Sequence, residues 1–221
     1  MKRAIVFING NLSNLSQAKK IIKKEDCLIA ADGGVNYILK MGLIPRVIIG
    51  DFDSTPQSLQ KKLTKICKEQ ACLFPTIIKY PRKKDKTDSE LAIDYCLEKK
   101  FQEINIFGIL GDRIDHLMAN IFLLVKTQTE NKSIKIKIVE GNKEIYILDK
   151  QIIINGKIGD EVSIIPVSEK LEGIITVGLE YPLKNESLKL GSTRGISNII
   201  NKALIKITVK GGIALIIHLR K

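Results

Sequence analysis

The strongest constraint on this chain is a change of rhythm near residue 130. Up to about residue 125, short β-branched runs alternate with segments of helical period. RAIVFI (3–8), CLIAAD (27–32), RVIIGD (46–51), LFPTIIKY (73–80) and INIFGI (104–109) read as strands. Between and after them lie helical stretches: one reaching Lys24, one from Gly33-Gly34 through Met41, one around 56–70, TDSELAIDYCLEKK (87–100) and HLMANIFLLVKT (116–127). In the segment 87–100, positions 91, 92, 95 and 96 form one helical stripe. Parallel strands need a long crossover connection, and a helix supplies it, so this alternation predicts a mostly parallel α/β sheet.

Beyond residue 130 the helical period disappears. SIKIKIVE, EIYILD, QIIIN, EVSIIPV, GIITVG, ALIKITV and IALIIHL are short strands separated by Gly, Asn and Pro turns. They predict a separate all-β domain, a small sandwich or barrel. The expected fold class is therefore α/β: an N-terminal, mostly parallel α/β sheet domain over 1–130, then a C-terminal all-β, sandwich-like domain over 131–221.

Charge and cysteine content narrow the partners. The net charge is +12, from 36 Lys and Arg against 24 Asp and Glu, which suits phosphates or a plain solvated surface. The lysines are scattered, the densest stretch PRKKDK is interrupted by acid, and aromatics are 5% with no Trp, so base stacking has little to work with. No nucleic-acid partner is expected. Cys27, Cys67, Cys72 and Cys96 form no CxxC pair, and His116 and His218 are the only histidines, which disfavours both a zinc site and a disulfide framework. The run Ala4–Ile8 is too short for a signal peptide, and no stretch approaches membrane-spanning length. A reduced, cytoplasmic protein without membrane association is expected.

In an open α/β sheet, ligands bind beyond the carboxyl ends of the strands. Four predicted strand ends are unusual. The second ends in AADGG, where Asp32 precedes Gly33 and Gly34. The third ends in IIGDFDS (48–54), where Asp51 and Asp53 would point to one face of extended backbone. At a separation of ~6–7 Å and an effective dielectric of ~20, two such carboxylates repel by roughly 2–3 kcal/mol. The fourth is followed by KKDKTDSE with Asp85, Lys86, Thr87 and Asp88, and the fifth by GILGDRIDH with Asp112, Arg113, Asp115 and His116. Each has a plain structural reading too: a polar turn at GDFDS, a helix cap at Asp32, and Thr87 or Asp88 capping a helix with Glu90 in a capping box. Taken together, carboxylate oxygens without His or Cys suit a hard cation, Mg²⁺ first, and nearby Lys and Arg suit phosphate. That combination points to phosphoryl or nucleotidyl transfer, although no GxxxxGK[ST] loop or kinase HRD or DFG is present. A DxD pair after a strand is also how metal-dependent glycosyltransferases hold nucleotide-sugar diphosphates.

The series ADGG, PRVIIGDFDS, DKTDSELA and GILGDRIDHLMANIFLL resembles the catalytic domain of the thiamine pyrophosphokinase (thiamine diphosphokinase) family. GDEVSIIPVSEKLEGIITVGLEYPL and LGSTRGISN resemble that family's β-sandwich thiamine-binding domain, so the likeness spans about residues 30–217 in the family's order. It implies an ATP-dependent enzyme that moves an intact pyrophosphoryl group to thiamine, releasing AMP. It implies that Asp32, Asp51, Asp53 and Asp88 surround Mg²⁺ and the ATP phosphates, and that Gly33, Gly34, Lys86, Thr87 and Arg113 serve the nucleotide. Asp51, Asp53, Asp88 and Asp115 would be the catalytic carboxylates, with Asp88 or Asp115 accepting the hydroxyl proton. Ser197 and Asn198 match residues that contact the thiamine pyrimidine, and Tyr181 is a candidate for the aromatic contact. The family's homodimer would place thiamine between the catalytic domain of one subunit and the β domain of the other. His116 is expected to make a structural hydrogen bond, and His218 to be a surface or packing residue.

Overall fold

β-branched runs buried on both sides read as continuous apolar stretches, and four of them, with a more exposed edge strand, form a parallel array. In the computed structural model, which describes residues 2–12, 14–51, 61, 63–66, 68, 74–111 and 113–221, these are β1 (Arg3–Phe7), β2 (Cys27–Ala31), β3 (Val47–Gly50), β4 (Thr76–Lys79) and β5 (Glu103–Phe107). Their order is β5-β1-β2-β3-β4, with parallel neighbours throughout. From Ala4 to Phe7, Ile29 to Ala31 and Val47 to Ile49 the side chains are at most 1% exposed. Phe7 and Phe107, register partners on β1 and β5, stack with ring centroids 5.1 Å apart just before both strands end.

Helices α1 (Leu15–Ile21), α2 (Val35–Lys40), α3 (Asp88–Glu98) and α4 (Ile114–Glu130) fall where the sequence period places them. α3 starts sharply because the Thr87 hydroxyl accepts a hydrogen bond from the Glu90 backbone N–H at 3.2 Å. Residues 61, 63–66 and 68 are also helical. The rest of the helix expected around 56–70 lies outside the described residues, as do Asp53, Cys67, Cys72 and Asp112.

The chain divides into two compact units, Met1–Leu123 with Asn131–Ile136, and Leu124–Glu130 with Lys137–Lys221. The second unit is antiparallel. One set of strands runs β6 (Lys135–Glu140, within the unit from Lys137), β7 (Lys143–Leu148), β14 (Ala214–Leu219), β9 (Glu161–Pro166), β12 (Asn198–Ile199). The other runs β8 (Gln151–Asn155), β13 (Leu204–Thr208), β10 (Lys170–Val177), β11 (Lys184–Lys189). Leu148, Val162, Ile164 and Ile216 from the first set share one core with Ile154, Leu171, Ile174, Ile205 and Ile207 from the second, so the unit is sandwich-like.

One feature departs from the sequence reading, and a second narrows it to one of its alternatives. β11 (KNESLK) was not expected as a strand; it is an edge strand whose one buried side chain is Leu188, so ladder hydrogen bonds rather than an apolar face hold it to β10. His218 is no surface residue. It is fully buried, with Nε2 2.9 Å from Asp160 Oδ2 and Nδ1 3.7 Å from Glu144 Oε2. Glu144 is also gripped by Lys137 at 2.6 Å and Arg220 at 2.5 Å. No helix among the described residues is long and apolar enough to cross a membrane.

Candidate functional site

The ends of β1, β2, β3 and β5 are drawn together at glycines, two of which (Gly10 and Gly34) make backbone approaches that no side chain would permit. The Gly10 N–H donates to Gly108 O at 2.7 Å, and a Cβ on Gly10 would sit 2.2 Å from that oxygen. A Cβ on Gly34 would sit 2.0 Å from Phe7 O, and one on Gly33 would sit 2.1 Å from Asn9 Oδ1. Gly50, at the end of β3, would bring a Cβ to 3.3 Å from Asp32 Cα. Ala31 pairs with Ile49 in the register, so Asp32 follows β2 beside Gly50, and Asp51 lies one residue further along the neighbouring strand end.

Asp32 has a left-handed φ of 46° at the start of a 3₁₀ turn (Asp32–Gly34). That conformation is uncommon for a residue with a Cβ, though Asp tolerates it better than most. Neither this turn nor α2 has a side-chain cap, so the cap reading of Asp32 does not hold. Its Oδ2 accepts a long hydrogen bond from Asn9 Nδ2 at 3.4 Å, while Oδ1 is buried with no hydrogen-bond partner. A buried carboxylate oxygen without a partner is costly unless a cation or donor completes it. Asn9 was not anticipated. In the sequence NGN looks like any polar loop, and only its position after a buried strand, like the four acidic strand ends, could have flagged it.

The predicted metal set is oxygen-only, which fits a hard cation, and the orphaned Asp32 Oδ1 is the observation on this chain that favours one. Among the described residues no group of three or more His, Cys, Asp or Glu forms a ready cage. Asp53, the further carboxylate expected beside Asp51, lies outside those residues.

Along the loop before α3, the lysines are already engaged. Lys84 Nζ lies 2.6 Å from Asp88 Oδ1, whereas Lys86 Nζ lies 2.6 Å from Asp94 Oδ2 and 3.9 Å from Glu90. Lys84 is thus the lysine on the candidate carboxylate, and Thr87 acts as the helix cap. At the start of α4, Arg113 and Asp115 form a two-point ion pair, both side chains exposed. The Arg113 hydrogen bonds, aided by the His116 backbone N–H, hold the Asp115 carboxyl down at about 2. His116 itself is exposed.

In the second unit, Ser197 adopts φ 55° and its N–H donates to Ser163 Oγ at 3.0 Å. Next to it, the Asn198 side chain bonds the backbone of Tyr181 on both sides: Oδ1 accepts from the N–H at 3.1 Å and Nδ2 donates to the carbonyl at 2.7 Å. The Tyr181 side chain is left exposed. The loop carrying Ser197 crosses β9 closely, with Ile164 N–H donating to Gly195 O at 2.8 Å. A Cβ at Gly195 would lie 2.2 Å from Ile164 O.

Comparison with known proteins covers both units. Residues 18–138 match the family described as thiamin pyrophosphokinase, catalytic domain, and residues 150–214 match thiamin pyrophosphokinase, vitamin B1 binding domain. The chain is 36% identical to a thiamine pyrophosphokinase of Bacillus subtilis over 172 residues, covering 77% of this chain and 76% of that protein. It is 26% identical to thiamin pyrophosphokinase 1 of Caenorhabditis elegans over 218 residues, covering 90% and 82%. The crystal structure of the thiamine pyrophosphokinase from Bacillus subtilis superimposes with a TM-score of 0.85 at 30% identity, covering 100% of both chains. That of the thiamin pyrophosphokinase from Geobacillus thermodenitrificans gives 0.80 at 29% identity, covering 100% of this chain and 98% of the other.

Proposed function

The chain belongs to the thiamine pyrophosphokinase family, and on that footing we propose that it transfers the pyrophosphoryl group of MgATP to the hydroxyl of thiamine, giving thiamine diphosphate and AMP. The observation that supports this reading most is Asp32 Oδ1, buried and lacking a hydrogen-bond partner at the end of β2, beside the β3 end that carries Asp51. Such an oxygen suits a cation and its phosphates far better than it suits a neutral ligand.

Asp32, Asp51, Asp53 and Asp88 are the residues that would hold Mg²⁺, which when bound neutralises charge on the phosphoryl oxygens. Gly33 and Gly34, which let this turn pack against Asn9 and the end of β1, are the glycines that would lie along the nucleotide. Arg113 offers a planar fork to a phosphate or the nucleotide, and Asp115 keeps that fork oriented. Lys86 and Lys84 lie in the loop before α3 and would turn from their carboxylate partners to phosphate oxygens. In-line transfer then depends chiefly on positioning and charge stabilisation. The hydroxyl proton passes to Asp88. Asp115 is the weaker choice because Arg113 engages both of its carboxylate oxygens.

Ser197 and Asn198 serve the thiamine pyrimidine, and Tyr181 supplies the aromatic face beside them. The acidic strand ends also attract the cationic thiazolium, despite a net charge of +12 on the whole chain. The working form is a homodimer in the cytoplasm, with each thiamine held between the α/β domain (1–130) of one subunit and the all-β domain (131–221) of the other. Neither nucleic acid nor membrane takes part. The test is product analysis with ATP and thiamine: AMP supports the reading, whereas ADP would indicate a simple kinase, and inertness towards thiamine would leave a nucleotide-sugar enzyme in its place.

A further inference from the structure

Helices α1 and α2 follow neighbouring strands of the parallel array, and an open groove of about 470 Å³ lies between them. Its lining is Leu15, Ser16, Lys19, Lys20, Lys40 and Met41. Sites for small molecules commonly enclose about 300–1,000 Å³. The groove sits by the last turn of α2, at the opposite end of that helix from the Asp32–Gly34 turn, and includes no residue of the candidate site.

Lys19 and Lys20 occupy the last turn of α1 and Lys40 that of α2, places where a cation also favours the helix dipole. That preference accounts for each lysine separately, but not for three of them around one hollow that no acid lines. The lysines before α3 sit on carboxylates, whereas these do not. Lys19 Nζ donates to Met41 O at 2.7 Å, which pins the ammonium against the groove and leaves two of its three donors for a ligand. Lys40 Nζ stands 5.9 Å from the Tyr37 ring centroid. Among the described residues no carboxylate pairs with Lys19, Lys20 or Lys40. Like charges gathered in this way repel until an anion joins them. Beneath them Met41 is buried and Leu15 half-buried, so the floor is apolar.

A phosphate monoester carries about 1.5–2 negative charges at neutral pH, so matching three ammoniums takes a second phosphoryl group. We propose that this groove binds an organic diphosphate, with its phosphates on Lys19, Lys20 and Lys40 and its carbon skeleton over Leu15 and Met41.

The chain has three methionines, Met1, Met41 and Met118, of which Met41 lines the groove and Met118 lies on α4. NMR of the full chain labelled with ¹³C at the methionine methyls therefore reads this site directly. ADP, added with a chelator and without thiamine, should move the Met41 resonance saturably and leave Met118 in place. Half-saturation should come at about tenfold lower concentration than with AMP, and also lower than with inorganic pyrophosphate. Lys20→Glu should raise the ADP concentration needed by about tenfold or more. Lys20→Gln, which keeps the stem and drops the charge, should raise it by about fivefold. A Met41 shift unaltered by both substitutions would come from ADP bound elsewhere and would overturn the proposal, as would the absence of any shift. Equal affinity for AMP would overturn the charge match, and equal affinity for pyrophosphate would overturn the role of the apolar floor.

Discussion

Arg113 holds Asp115 at two points, Nη2 to Oδ2 at 2.5 Å and Nε to Oδ1 at 3.2 Å, across two residues at the start of α4. The pair faces solvent, so its worth lies in orientation rather than in stability. It makes Asp115 a permanent anion and Arg113 a fixed fork.

Asp115→Asn should therefore weaken ATP binding about tenfold while leaving the acid limb of the kcat/KM profile in place. Removing a general base usually costs ~10²–10⁴ in rate and erases its limb from the profile. A pH profile of the variant checks this, and loss of the limb would return the proton to Asp115.

Asp51→Asn and Asp53→Asn should each lower turnover by on the order of 10²–10³ with the melting temperature preserved. Turnover at saturating Mg²⁺ together with thermal melting measures both sides. Near-normal activity in either variant would remove the metal-ligand assignment.

Gly33→Ala and Gly34→Ala should differ in kind. At Gly34 the new Cβ would strike the Phe7 backbone oxygen, which cannot move without distorting β1, so about 2–3 kcal/mol of stability should be lost. At Gly33 it would strike the tip of the Asn9 side chain, which can swing away. That variant should fold nearly normally but bind ATP more weakly, because Asp32 loses its hydrogen bond from Asn9. Denaturant melts and ATP titrations separate the two outcomes.

The Glu144 cluster sets an acid limit on stability. Burial alone would raise its carboxyl, yet His218, Lys137 and Arg220 together hold it well below the usual range. A depressed folded value means the contribution is present above the unfolded value and is lost as pH falls through the acidic range below about 4.5. Glu144→Gln should cost roughly 2–3 kcal/mol at neutral pH and flatten the acid dependence. Urea melts at pH 7 and at pH 4 check both the magnitude and the sign.

How far the sequence carried this account depends on what each residue does. β1, β2, β3 and β5 announce themselves because burial on both faces demands unbroken apolar runs. β11 does not, because an edge strand with Leu188 as its one buried side chain has no periodic signature. His218, expected as a surface or packing residue, is a packing one, and its partners are hidden for a related reason: β14 lies between β7 and β9, and a polar residue there is legible only once Asp160 and Glu144 are seen beside it. The acidic strand ends were visible as a set, but the partner of each charge was not. Spacing could not say that Lys84 rather than Lys86 sits on Asp88, nor that Asn9 reaches Asp32 from another strand. Asn198 was legible as a site residue, whereas its grip on Tyr181 is a product of the turn at Ser197.

The central claim is intact transfer of a pyrophosphoryl group, and ATP labelled at the γ-phosphorus tests it most directly. With Mg²⁺ and thiamine, the label should move to the terminal phosphate of thiamine diphosphate, with one unlabelled AMP released per product. Labelled thiamine monophosphate formed with ADP would contradict it.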